Sequence, residues 1–235
     1  MIFCLINMSL IFTLTGKEPI LKASFNPPIY VNKDYVLGFS SFESFNTIPN
    51  ITTKNNTFYY GKNKAIVIPP GSYEISDIER LINVELEKRG KNYFFSLKAN
   101  HNTLKSIIKC TIDIDFRPDD CIGPLLGFSK RLLEANGTHE SDTPVNILSI
   151  NALCIYCNIA SGSYTNGQPS HIIHEFFPTV PVGFKIVESP DQIIYLPINV
   201  NVIDELIIKI LDQDGNLVSF EGEVITVGLH LKKLT

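Results

Sequence analysis

The sequence predicts a mainly β protein, a β-sandwich that carries one clear helix, and three observations lead there. Fifteen Phe and nine Tyr with no Trp, set among runs of Ile, Val and Thr, favour strands, because branched and aromatic side chains fit a pleated surface. Apolar residues recur with a period of two over many short segments, the spacing of a strand with one buried face. Turn signals punctuate those segments, among them Pro27-Pro28, Pro69-Pro70-Gly71, Asn136-Gly137 and Asn166-Gly167, and ten or more short strands with one or two helices make a sandwich. A chain of 235 residues, 44% hydrophobic and 19% charged, can bury a sizeable core as one large β domain. That balance excludes a disordered tail, and a net charge of −4 excludes a basic nucleic-acid module.

Each element follows from local pattern. Strands are predicted over 35–45, 58–60, 65–68 and 93–98. The helix, over about 77–89, begins at Ser76 with Glu79 three residues on as a capping box and ends at Gly90 behind Lys88 and Arg89; Ile78, Leu81, Ile82 and Leu86 form its apolar stripe. Acidic residues at its start and basic ones at its end complement the helix dipole. Over 106–116, Ile108, Cys110, Ile112, Ile114 and Phe116 alternate with Lys109, Thr111, Asp113 and Asp115, which predicts one half-buried strand. A second, short helix is expected over about 125–135, weakened by Gly127. Further strands are expected over 145–159, 184–187 and 193–198. Near the C-terminus, 206–211 and 225–231 are expected to pair as a hairpin turning at Asp214-Gly215, with Ile208, Ile210, Ile225, Val227 and Leu229 inside; Asp-Gly supplies the positive φ of a tight turn. There is no internal repeat or charged linker, and 139–144 is a weakly marked domain boundary.

Chemistry-bearing patterns are few. Cys154-Ile155-Tyr156-Cys157 followed by His171-Ile172-Ile173-His174 nearly matches a two-Cys, two-His zinc spacing. The histidines are one residue too close, and residues three apart on a strand project to opposite faces, so neither pair can ligate one metal together. Asp113, Asp115, Asp119 and Asp120 are the densest acidic cluster and could hold Mg²⁺ or Ca²⁺; two belong to a strand's polar face and two follow Pro118 in a turn, so a solvated strand end accounts for them. No nucleophile elbow, phosphate-binding loop or dinucleotide fingerprint is present, and His174-Glu175 lacks the second histidine of a zincin. The expectation is therefore no catalytic, cofactor-binding or metal-binding residue, and singly scattered lysines predict no sequence-specific nucleic-acid binding.

No window reaches the ~18 apolar residues of a spanning helix, so no membrane span is expected. The apolar stretch 1–14 lacks a basic n-region, the first basic residue being Lys17, and is not expected to be a signal peptide. Translation is expected to start at Met1 or Met8. Five cysteines (Cys4, Cys110, Cys121, Cys154, Cys157) suit reduced thiols inside a cell. Sequons at Asn7, Asn50, Asn55 and Asn136 matter only for a secreted chain.

A series of short segments carries a resemblance along most of the chain: FTLTG (12–16), FNPPI (25–29), YVLGF (35–39), NTIPN (46–50), IPPGSYE (68–74), LLGF (125–128), IYCN (155–158), YLP (195–197), LDQDGNLVSFEG (211–222) and LHLK (229–232). In this order they resemble the minor capsid, or penton-like, protein family encoded by Maverick/Polinton elements, which are large self-synthesising DNA transposons with viral gene sets. The resemblance implies a single jelly-roll-like capsid domain over 12–235, with 1–11 an upstream extension outside it. It further implies a structural virion protein and not an enzyme, without cofactor, assembling as a homopentamer at icosahedral vertices beside the element's major capsid protein, and located in the virion and, during assembly, inside the host cell. The polar stretches 50–56 and 161–170 are the expected contact loops. The competing expectations are a secreted β-sandwich binding module, or a metal-binding enzyme built on Cys154, Cys157, His171 and His174 or on the Asp cluster.

Overall fold

The computed structural model describes residues 9–89, 93–147 and 150–234. Met1, Cys4, Asn7, Met8 and the helix end at Gly90 lie outside the described residues. In chain order the elements are β1 (Ser9–Gly16), β2 (Ile20–Tyr30), β3 (Tyr35–Phe45), β4 (Thr57–Tyr60), β5 (Lys64–Val67), α1 (Ile75–Lys88), β6 (Phe95–Ala99), β7 (Lys105–Cys110), β8 (Ile114–Asp115), β9 (Leu132–Leu133) and β10 (Gly137–Pro144). They continue with β11 (Leu153–Cys157), β12 (Ser163–Thr165), β13 (Gln168–Ser170), β14 (Ile172–Phe176), β15 (Lys185–Glu188), β16 (Tyr195–Pro197), β17 (Val202–Leu211) and β18 (Ile225–Lys233). The protein is mainly β with antiparallel sheets.

Internal packing divides the chain into two compact units, one formed by the residues up to Ile48 together with those from Ile150 onward, the other by Pro49–Ser149. One domain was expected over 12–235. The weak mark at 139–144 falls inside β10, which is paired with β7 within the second unit, a few residues before that unit ends.

The first unit has two main sheets, β1-β18-β3-β15 and β14-β11-β17-β2, with β16 sharing the β15 edge of β3, and the small two-stranded sheet β12-β13. Counting its eight main positions along the chain (β1, β2, β3, β11, β14, the β15/β16 pair, β17, β18), one sheet takes positions 1, 8, 3 and 6 and the other 5, 4, 7 and 2. That interleaving of two four-stranded sheets is the jelly roll. Its core is filled from both inner faces, by Leu37, Phe39, Phe42, Val227 and Leu229 on one sheet and Ile155, Cys157, Leu206, Ile208 and Ile210 on the other. Gly38 makes room on the outer side of β3. A Cβ there would come within 2.3 Å of the Ile193 side chain and 3.1 Å of Tyr195, so only glycine lets the β16 segment lie against the strand.

The second unit has its own core, built from Phe58, Tyr60, Phe95, Ile108, Ile114 and Phe116 among others, under the Ile78, Ile82 and Leu86 stripe of α1. The helix starts slightly earlier than expected, and its cap differs. Asp77 accepts the Glu74 N–H at 3.3 Å, while Glu79 accepts the Leu97 N–H at 3.1 Å and so ties the helix to β6. Ser76 is an ordinary first-turn residue.

Several expected elements are corrected. The short helix over 125–135 is absent: a turn centres on Gly127 at φ +80°, a conformation no helix contains, and β9 follows. The strand over 106–116 is two strands, β7 and β8, separated by a bend, although Ile108, Cys110, Ile112, Ile114 and Phe116 are all buried as the alternation required. Among the described residues of 145–159, Leu153–Cys157 is strand and the rest is not. Pro27-Pro28 interrupts an edge strand where a turn was expected; β2 loses register with β17 between Ile29 and Ser24, which an edge tolerates because no second neighbour needs the missing N–H groups.

The C-terminal hairpin is also corrected. The turn forms as expected, with Gly215 at φ +83° and the Asp212 N–H donating to Asn216 O at 2.8 Å. It delivers the chain only to an isolated bridge between Leu211 and Leu217. β17 pairs with β2 and β11, and β18 with β1 and β3, so the two strands belong to opposite sheets.

Candidate functional site

The four zinc-like residues are dispersed by strand geometry. Cys157 joins Ile155 in the core, whereas Cys154 lies on the other face of β11, opposite Glu175 and Leu211 in register. Burial pushes both thiols up to about 11, with the Glu175 and Asp212 carboxylates adding to the effect at Cys154. His171 contacts the Ala160 carbonyl through Nδ1 at 2.5 Å. His174 stacks on Phe39, the rings 4.2 Å apart and 8° from parallel, and pairs through Nε2 with Glu188 at 2.8 Å. Each side chain is thus engaged separately, and among the described residues no group of three or more His, Cys, Asp or Glu is arranged to hold a metal ion.

The acidic cluster is likewise dispersed. Asp113 accepts the Ala135 N–H at 2.8 Å. Asp115 takes a two-point contact from Arg117 at 2.8 and 2.7 Å, which holds its carboxyl below the usual range. Asp119 pairs with Lys130, with the same consequence. Asp120 accepts the Tyr59 hydroxyl at 3.0 Å and that of Thr57 at 3.1 Å, and this bond pushes the Tyr59 phenol up. These carboxylates work as turn and strand-end ties.

One hydrogen-bonded chain of reactive side chains does assemble on the outer face of the first unit's β1-β18-β3 sheet. Ser9 Oγ meets His230 Nε2 at 2.5 Å, Tyr195 Oη meets His230 Nδ1 at 2.6 Å, and Lys232 Nζ stands 3.8 Å from the Tyr195 ring centre. These positions run across four strands: Ser9 of β1 is opposite Lys232 of β18, His230 of β18 opposite Gly38 of β3, and Gly38 opposite Tyr195 of β16. Ser9 is exposed at the start of β1.

Of the two expected contact loops, 50–56 is anchored inward through its asparagines, with Thr53 and Lys54 exposed between them. The Asn50 side chain donates to Tyr73 O at 2.8 Å and Ile147 O at 3.2 Å and accepts the Tyr73 N–H at 3.0 Å; Asn56 donates to Ile68 O at 2.9 Å. Two of the sequons are spent on this scaffold, since Asn55 donates to Asn50 O at 3.0 Å. Asn136 stands exposed at a turn.

The other loop, 161–170, is a β-hairpin. β12 and β13 pair around Asn166-Gly167, at φ +50° and +78°, the two left-handed residues of a tight hairpin turn. Tyr164 is 70% exposed on it. A second feature was not singled out from the sequence. Where β3 ends beside β15, Phe45, Phe184, Val187 and Val224 are all large, apolar and exposed. Phe45 lies opposite Lys185 and Val187 opposite Glu43, while Asn46 N–H donates to Phe184 O at 2.8 Å. Period-two alternation contained the signal: Phe42 is a core residue, so Phe45, three positions on, must face outward.

No family model and no curated relative matches the sequence. Solved structures do match. The chain is similar in fold to the mavirus penton protein. The likeness to that crystal structure covers 97% of this chain and 100% of the other, at a TM-score of 0.50 and 13% identity. At that identity the likeness concerns the fold alone.

Proposed function

We propose that this chain is a structural capsid protein, a penton-like minor capsid subunit of a Maverick/Polinton virus-like element. The observation that carries the reading is a jelly roll in a chain that a viral penton protein matches along nearly its whole length. A jelly roll by itself also serves lectins and enzymes. Here the separate placement of Cys154, Cys157, His171 and His174 and of the four Asp residues removes support from the metal-binding alternative, and the inward use of Asn50 and Asn55 leaves Asn136 as the exposed sequon among the described residues. In this role the protein acts without cofactor or catalysis, forms a homopentamer at icosahedral vertices, meets the element's major capsid protein around each vertex, and resides in the virion after assembly inside the host cell. Its chemistry is that of shape: rigid β bodies presenting two different surfaces, since a ring of five closes by heterologous contacts. Co-expression with the major capsid protein followed by electron microscopy tests it. Five-fold density at the vertices that disappears when this gene is omitted is the expected result; particles whose vertices are unchanged without it would refute the proposal.

A further inference from the structure

We propose that the hairpin Ser163–Ser170 is a knob and the depression at the end of β3 its socket, so that Tyr164 of one copy seats against Phe45 and Val224 of a second copy of this chain. The inference rests on the self-assembly reading above and deepens it by naming the contact.

The knob faces outward. Its turn is set by Asn166-Gly167, its base by Ser163 Oγ donating to Ser170 O at 2.7 Å, and everything from Tyr164 to Pro169 is exposed. A bare two-stranded hairpin is at best marginally stable in water, so the chain commits eight ordered residues to holding one tyrosine in solvent. A tyrosine offers large contact area with few rotatable bonds, which is why it recurs at the energetic centres of interfaces.

The socket is a depression of about 220 Å³ that Phe45 and Val224 wall with apolar surface and Glu43, Lys185 and Glu223 edge with polar groups. Phe45 and Val224 are exposed there, 44% and 46%, and the Lys185 ammonium pairs with the Glu43 carboxylate at 2.5 Å on its edge. An apolar wall with a polar rim suits a side chain that is a hydrocarbon ring with a hydroxyl at its tip.

Both parts belong to the first unit, and a copy cannot fill its own socket. Ser161 N–H donates to Pro197 O at 2.9 Å, and Pro197 lies opposite Val36, which places the hairpin's base at the start of β3. The socket is at Phe45, nine residues further, or roughly 30 Å at about 3.3 Å per residue. The chain therefore supplies two complementary surfaces at opposite ends of one rigid body, a heterologous contact that builds a ring when the rotation between copies closes.

The test mixes two half-defective proteins. Tyr164→Ala keeps the socket and lacks the knob; Phe45→Glu keeps the knob and spoils the socket. Both positions are exposed, so each variant should melt as the parent does. In sedimentation at concentrations where the parent forms oligomers, each alone should be monomeric, with self-association weakened at least tenfold. Mixed in equal amounts they should form a dimer and nothing larger, because one intact junction remains per pair and neither free end can extend. Parent-like oligomers from either variant alone, or no dimer on mixing, would overturn the knob-and-socket contact while leaving self-assembly standing. A parent that stays monomeric at every concentration and never enters co-expressed particles would overturn both.

Discussion

Replacing Gly127 by Ala separates two local structures by the sign of its effect. In a helix over 125–135 the substitution would stabilise by about 1 kcal/mol, the difference in helix propensity. In the turn observed, Gly127 sits at φ +80°, and an added Cβ would lie 2.3 Å from Thr143 O and 2.9 Å from Pro144 O. The left-handed conformation alone costs an alanine roughly 1–2 kcal/mol. Relieving the clash means moving the turn from β10, whose Asp142 and Thr143 N–H groups both donate to Gly127 O at 3.0 Å, and each lost bond is worth about 1 kcal/mol. The sum is a destabilisation of about 3 kcal/mol. Since α1 lies in the same unit, helical ellipticity during heating or urea unfolding follows it, with tyrosine fluorescence as a second probe in a chain without Trp. For a unit of roughly 100 residues the melting temperature should fall by roughly 12–24 °C. An unchanged or higher melting temperature would refute the turn, the close approach of β10 and the reasoning together.

Gly215→Val should cost less, about 1–2 kcal/mol by denaturant titration, because nothing lies within 4 Å of the added Cβ and only the positive φ is penalised. Asn50→Ala strips partners from Tyr73 N and O and Ile147 O and should destabilise by about 2–3 kcal/mol; a melt within 0.5 °C of the parent's, on the order of a tenth of a kcal/mol, would show that this clamp carries no stability. With their folded pKa near 11, above the usual value near 9, the Cys154 and Cys157 thiols should stay unlabelled by a thiol reagent at pH 8 until the protein unfolds. The same shift has a linkage consequence: the folded chain holds those protons longer, so their contribution to stability is full below about pH 8.5 and is lost as pH rises toward 11. Mutating both to Ser should flatten that part of the pH–stability curve.

Period-two alternation placed burial correctly wherever it ran long. Ile208, Ile210, Ile225, Val227 and Leu229 are all in the core, and β3 has the limits its pattern marked. Alternation reports which face of a strand is wet; it carries no information about the strand alongside, and Asp214-Gly215 reports that the chain reverses without saying into which sheet. Only the tertiary structure decided that β17 and β18 face each other across a sandwich, because each had a better neighbour far away in sequence. The same holds for function. Residue types and spacing sufficed to separate the paired cysteines onto two faces of β11, a consequence of strand geometry alone. The knob at Tyr164 and the socket at Phe45 exist as surfaces only once loops from distant parts of the chain have been brought to the two ends of one body, since exposure is a property of the packed whole and not of any segment.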